Sequence, residues 1–323
     1  MKSLAPEVDR RRFLAAGAAA IAGAGAVYAT PGVPFGQATS RELPSMLKFS
    51  VMLWTVEPKT PFDQRIGKVS DAGYHAVELV EEYKGWSKED IAHARQRFHQ
   101  LNMVVDACSG IHASLCDPAQ RDTFLAEVRA KLPVLAELEC SRLILLSGNR
   151  VPGLSQEQMH ESCVEGLKRA ADAAAEKNVE LLLENIDPEE NPSYFLTSVT
   201  EGFQVVREVG NPHVRFLYDL YHEQLSEGNL IAKLEKNIDL TGLIHVADVP
   251  GRHEPGTGEI NYQNIYRKLN GLRYSRYVAM EFIPRGDVVE TLRSAREFAE
   301  KNSRDTTFTA AGLTDTGRAD ASS

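Results

Sequence analysis

Four short apolar runs in the second half of the chain each end on a residue that can hold a metal or move a proton. They read Leu181-Leu182-Leu183-Glu184, Phe216-Leu217-Tyr218-Asp219, Leu243-Ile244-His245 and Val278-Ala279-Met280-Glu281. The four polar residues stand 35, 26 and 36 positions apart. Three carboxylates and an imidazole gathered at one point repel unless neutralised, and a divalent cation neutralises them. Three oxygens and one nitrogen suit Mn²⁺, Mg²⁺ or Co²⁺ in six-coordination, with two positions left for water or substrate. Zn²⁺ also fits the set. Taken singly, each residue has a plainer reading. An acid at a strand end is often a helix cap or a salt-bridge partner, and a histidine after apolar residues is usually a hydrogen-bonded core group. Repetition in four successive units favours a site, with one divalent ion per chain.

Such a convergence needs elements whose ends point at a common axis. Between Met46 and Glu300, apolar runs of strand length alternate with longer stretches of helical period. The expected strands are Lys48–Leu53, His75–Val80, Met103–Ala107, Arg142–Leu146, Glu180–Leu183, Val214–Tyr218, Gly242–Val246 and Tyr277–Met280. Helices are expected between them, for example over Ser155–Lys177 and Ser198–Glu208, with Gly73 and Gly210-Asn211-Pro212 as stops. Nearly continuous apolar strands belong to a parallel sheet covered on both faces. Eight βα units over 46–300 match a single (β/α)₈ TIM barrel, typically about 250 residues. A doubly wound sheet would favour a glycine-rich phosphate loop after the first strand. Here Trp54 is followed by Thr55-Val56-Glu57-Pro58. In a barrel the active site lies at the C-terminal ends of the strands, where these four residues stand.

Further polar residues follow the same ends. His222 lies three positions after Asp219. The seventh strand leads into a Gly/Pro-shaped loop from Ala247 to Tyr262, in which Arg252 could clamp a substrate carboxylate bidentately. The plainer reading of Arg252 is a solvated turn. His222, Arg252 and Glu254 are the substrate-contact candidates, and Ile283-Pro284-Arg285-Gly286 is a second rim segment.

The remaining chain has other uses. Of 323 residues, 43% are hydrophobic and 25% charged, the balance of a globular protein. A net charge of −9 argues against a nucleic-acid partner. Cys108, Cys116, Cys140 and Cys163 form no CxxC pair and are too few for a disulfide scaffold. They are expected to be buried thiols. Arg10-Arg11-Arg12-Phe13-Leu14, the Ala/Gly-rich stretch to Val27 and the small residues to Ala29 read as a signal peptide of twin-arginine type over 1–29. That address predicts contact with the twin-arginine export machinery and a periplasmic location, or membrane anchoring if the segment is not cleaved. Residues 30–45 read as a linker and 301–323 as a disordered tail.

The core from Lys48 to Ala299 resembles the xylose isomerase-like barrel family of sugar isomerases and epimerases, and within it the hydroxypyruvate isomerases. The likeness rests on Gly251-Arg252-His253-Glu254-Pro255-Gly256-Thr257-Gly258-Glu259-Ile260-Asn261-Tyr262 and on Pro284-Arg285-Gly286. It implies that Glu184, Asp219, His245 and Glu281 hold the metal. It also implies that Glu184 and Glu281 exchange protons with a keto acid or sugar substrate, and that His222 and Arg252 contact substrate oxygens. The implied reaction is a metal-dependent isomerisation through an enediolate, from hydroxypyruvate to tartronate semialdehyde. Ketose 3-epimerisation and dehydration of keto-inositols use the same apparatus. An exported sugar-binding protein would need no proton carriers. An abasic-site endonuclease would need added histidine ligands, for which His75 and His112 are the only early candidates. The first half, with Trp54, Glu78-Leu79-Val80-Glu81-Glu82 and Gly110-Ile111-His112, matches less distinctly and builds part of the substrate pocket. A homo-oligomer would fit the family.

Overall fold

The computed structural model describes residues 47–304. The expected signal peptide, the linker and the tail beyond Arg304 lie outside the described residues. Within them, eight parallel strands close in sequence order into one barrel. They are β1 (Lys48–Met52), β2 (Ala76–Val80), β3 (Val104–Ser109), β4 (Arg142–Leu146), β5 (Glu180–Glu184), β6 (Val214–Asp219), β7 (Thr241–Val246) and β8 (Tyr277–Met280). Each lies within two residues of its expected limits, because a strand covered on both faces shows as an uninterrupted apolar run.

The helices are α1 (Phe62–Asp71), α2 (Lys88–Gln100), α3 (Arg121–Glu137), α4 (Gln156–Glu176), α5 (Val199–Val209), α6 (Leu220–Ser226), α7 (Leu230–Asn237), α8 (Tyr262–Gly271) and α9 (Val288–Arg304). Their starts and stops follow local chemistry. Ser155 caps α4 in a reciprocal box with Gln158. Ser198 caps α5, and Gly210 ends it in the left-handed conformation at φ 62°. α9 runs past the expected limit at residue 300. Asn302 and Ser303 are buried, and the Asn302 side-chain amide donates to the Phe298 carbonyl, so the last turn is held rather than frayed. No helix among the described residues is long and apolar enough to cross a membrane.

Two layers of apolar packing make the core. A large cluster lies between strands and helices. A smaller one fills the barrel with Met52, Ala107, Ile144, Leu182, Leu217, Leu243 and Ala279, one residue from each strand except β2. In the register between β1, β2 and β3, the β2 residue at that level is Glu78, paired with Met52 on one side and Ala107 on the other. Two register shifts adjust what points inward. The β2–β3 ladder skips Asp106, and the β6–β7 ladder skips Gly242. A side chain at Gly242 would collide with Leu182 and Arg215, so only glycine fits there. Past that shift Leu217 pairs with Leu243 and Asp219 with His245. Site residues therefore follow two positions after interior residues on β5 to β8: Leu182 then Glu184, Leu217 then Asp219, Leu243 then His245, Ala279 then Glu281. The alternation of a strand sends both of each pair to the same face.

Candidate active site

Glu184, Asp219, His245 and Glu281 come together at the C-terminal end of the barrel. Each offers one ligand atom, and these atoms all lie within 4.8 Å of one another. All four residues are buried. His245 Nδ1 faces the acids, 2.8 Å from Glu281 Oε2, 3.4 Å from Glu184 Oε1 and 4.0 Å from Asp219 Oδ2. A buried set of hard carboxylate oxygens with one imidazole nitrogen, converging from four rigid strands, fits a divalent cation. Buried like charges are otherwise costly.

The charges in the cluster are unequal. Burial raises the Glu184 carboxyl above its ordinary range, against the hydrogen bond and charge of His245. Burial would raise Glu281 too, but the Arg252 guanidinium, then His245, holds it well below that range. Burial opposes charge on His245, yet Glu78 and Glu281 outweigh it and raise its pKa well above the ordinary value. Glu281 also accepts from Trp54 Nε1 at 3.1 Å.

Arg252 lies over the cluster. Its Nη2 is 2.7 Å from Glu281 Oε1 and 3.9 Å from Asp219 Oδ2, and its Nη1 donates to both oxygens of Glu190 at 3.0 and 2.9 Å. The guanidinium stacks between Trp54 and Tyr221, 5.4 and 5.1 Å from the ring centroids. Its backbone is in the left-handed region at φ 56°, which costs energy for a non-glycine residue. The loop enforces that geometry. Asp248, buried at the end of β7, accepts from the backbone amides of Val249, Gly256, Thr257 and Ile260. A side chain at Gly258 would collide with the Val249 carbonyl. Ile283 N donates to the Arg252 carbonyl at 2.7 Å, tying the loop to the exit of β8.

His222 stands beside the four. Its Nδ1 is 2.6 Å from Asp187 Oδ2 and its Nε2 is 3.5 Å from Asp219 Oδ2. Burial disfavours its charge, but Asp219 and the bond to Asp187 prevail and push its pKa up to about 9. Asp187 in turn accepts from the amides of Glu189 and Glu190, which shapes the loop that carries Glu190 to Arg252.

His222 and Arg252 thus stand where the sequence places them, next to the cluster. Glu254 stands apart, on the rim. It accepts from Arg285 Nε at 3.1 Å and from the Arg285 amide, bracing one rim loop against the other. His75 is exposed just before β2, at the opposite end of the barrel, and His112 is exposed and paired with Glu81. Neither joins the cluster. The four cysteines are buried and free, as expected.

Sequence reasoning missed the roles of Glu78, Asp187, Glu190 and Asp248. Glu190 sits in the acidic run Asp187-Pro188-Glu189-Glu190, which looks like solvated loop. Glu78 carried a signal, a charged residue in the middle of an apolar strand. It lies 3.0 Å from His245 Nε2, an ion-pair contact without in-line hydrogen-bond geometry. Below it, Asp106 accepts from Ser50 Oγ at 3.0 Å and from Arg142 Nη1 at 2.5 Å.

Comparisons with known proteins agree with this architecture. Residues 66–301 match the family model described as xylose isomerase-like TIM barrel. Hydroxypyruvate isomerase of Escherichia coli K12 is 29% identical over 253 residues, covering 77% of this chain and 98% of that one. 2-Oxo-tetronate isomerase of Haemophilus influenzae is 29% identical over 253 residues, covering 76% and 97%. The crystal structure of an AP endonuclease, family 2, from Brucella melitensis superposes with a TM-score of 0.70 at 28% identity, covering 76% of this chain and 96% of that one. D-Psicose 3-epimerase from Clostridium cellulolyticum H10 shares the fold, with a TM-score of 0.66 at 19% identity over 80% of this chain and 96% of that one. The curated relatives named here are isomerases, which supports an enzyme of isomerase type. The chain belongs to the xylose isomerase-like TIM barrel family.

Proposed function

We propose that this chain isomerises a short α-hydroxycarbonyl acid, with hydroxypyruvate and tartronate semialdehyde as the substrate pair, using one divalent metal ion. The observation that carries this reading is the buried meeting of Glu184, Asp219, His245 and Glu281 under the Arg252 guanidinium. A divalent cation in that set, with Mn²⁺ or Mg²⁺ suited to its oxygens, would polarise a carbonyl and acidify the neighbouring C–H. Glu184 and Glu281 reach the same point from β5 and the exit of β8. One glutamate takes the proton from the hydroxyl-bearing carbon, the hydroxyl proton passes to the former carbonyl oxygen at the enediolate, and return of a proton to the adjacent carbon completes the isomerisation. Arg252 supplies a planar, permanently charged partner for a substrate carboxylate. His222, held by Asp187, donates to a developing oxyanion. Trp54 and Tyr221 wall the guanidinium and limit water around it.

Two relatives' names bear on the choice of substrate. Hydroxypyruvate and 2-oxo-tetronate isomerases both imply an acidic α-keto substrate. Return of the proton to the same carbon would make the enzyme an epimerase, and water loss a dehydratase. A hydrolytic reading, which the name of one relative suggests, is disfavoured because His75 lies at the opposite end of the barrel and His112 is paired with Glu81, and by the charge of −9. Export by the twin-arginine route is proposed from Arg10-Arg11-Arg12-Phe13-Leu14, the Ala/Gly-rich stretch to Val27 and the small residues to Ala29.

The test is product identification. The Mn²⁺-loaded chain is incubated with hydroxypyruvate, 2-oxo-tetronate, a neutral ketose and an inosose, and the products are resolved by NMR. Tartronate semialdehyde from hydroxypyruvate is the expected result. Epimer or dehydrated product alone would overturn the assignment.

A further inference from the structure

Glu78 is a carboxylate where the barrel is otherwise apolar. Seven strands supply Met52, Ala107, Ile144, Leu182, Leu217, Leu243 and Ala279 to the interior cluster, and β2 supplies Glu78 at the same level. It is fully buried, and neither of its carboxylate oxygens makes a hydrogen bond among the described residues. A carboxylate without a hydrogen bond in an apolar interior is costly for folding, and this one stands between His245 and the Asp106 carboxyl. Its placement therefore points to a function. The atom it faces is His245 Nε2, at 3.0 Å. That nitrogen also makes no hydrogen bond.

The two ring nitrogens of His245 have separate surroundings. Nδ1 faces Glu184, Asp219 and Glu281, and Nε2 faces Glu78. A histidine can give a lone pair to a cation from Nδ1 only if the remaining proton sits on Nε2. A carboxylate behind the ring fixes that arrangement, orients the ring and makes its free nitrogen more basic. We propose that Glu78 is a positioning residue for the metal centre, acting through His245 from beneath the site. This rests on the reading of the four-residue cluster as a cation site.

The test measures Mn²⁺ affinity and the melting temperature of the metal-free full chain for wild type, Glu78→Gln and Glu78→Leu. Loss of such a supporting partner typically costs about 10–100-fold in metal affinity. Glu78→Gln keeps an acceptor without the charge and should weaken Mn²⁺ about tenfold. Glu78→Leu should weaken it by about 100-fold in the folded fraction, whatever its metal-free melting temperature. A residue serving only the fold would show a lower melting temperature with unchanged affinity in the folded fraction, and that result would overturn the proposal. If Glu78→Leu does not fold, wild-type affinity in Glu78→Gln is sufficient to overturn it. Wild type that binds no Mn²⁺ would overturn the proposed function as well. Wild-type binding with unchanged affinity in both variants would overturn this inference alone.

Discussion

The two halves of the barrel are built from the same repeat and carry different chemistry. From β5 to β8 the inward strand ends are Glu184, Asp219, His245 and Glu281, all buried and mutually in reach. From β1 to β4 the ends are apolar or neutral, with Trp54, Val80, Ser109 and Leu146. Leu146 is 39% exposed, which is unusual for a barrel strand and marks an apolar wall open to the mouth. The difference teaches that strand geometry sets where side chains converge and residue type alone sets what they do there. The first half still acts on the second, at two places. Trp54 donates to Glu281 and lies under Arg252, and Glu78 faces the far side of His245.

Substitutions in each half should break this division to different degrees. The largest effect is expected from the charged half. Glu184→Gln or Glu281→Gln should lower kcat by about 10²–10⁴-fold, the span of a lost proton carrier, while substrate still binds. Steady-state and binding measurements would check it, and near-normal turnover in either variant would erase the distinction between the halves. Arg252→Ala comes next. It should reduce kcat/KM for acidic substrates by about 10–100-fold, in line with the loss of a charged hydrogen-bonding partner. A neutral ketose should be affected less, so equal losses on both would count against a carboxylate clamp.

The wall should respond more weakly. Trp54→Phe keeps an aromatic face under Arg252 and removes the donor to Glu281. A fall of about three- to tenfold in kcat is expected from the loss of one hydrogen bond worth about 1 kcal/mol. An unchanged kcat would mean that the first half is only a wall. The smallest effect concerns the fold beneath the site. Burial, followed by the charge of Glu78, pushes Asp106 up to about 8, against Arg142. A carboxyl with a raised folded pKa stabilises the fold in its protonated form. That contribution is complete below its ordinary pKa of 3.8 and is lost as pH rises through about 8. Thermal melts of wild type should therefore fall across that window, and Asp106→Asn should flatten the fall by a few degrees whatever its absolute stability. Parallel melting curves against pH would show that Asp106 does not titrate there.

The charged half was legible in the sequence for a physical reason. Parallel buried strands appear as apolar runs, so a polar residue that ends one stands out, and one βα unit separates each from the next. Arg252 was legible through its Gly- and Pro-rich loop. Glu254, two positions on in the same loop, faces a different way. Here one covers the cluster and the other braces Arg285. Asp106 was hidden for another reason. Its inward placement depends on a one-residue register shift between β2 and β3, and such a shift leaves no periodic trace, whereas Glu78 pairs with Met52 in regular register. Asp187 and Glu190 were hidden because acidic loops are usually solvated.

The central claim is that the four strand-end residues form one metal site whose glutamates move a carbon-bound proton. Solvent-deuterium wash-in at the substrate carbon tests it most directly. The chain is incubated with hydroxypyruvate in D₂O, first loaded with Mn²⁺, then stripped by a chelator, then reloaded. Deuterium uptake that needs the ion, returns on reloading and disappears in Glu184→Gln is the predicted result. Uptake that persists without the ion, or that survives in both Glu184→Gln and Glu281→Gln, would contradict the account.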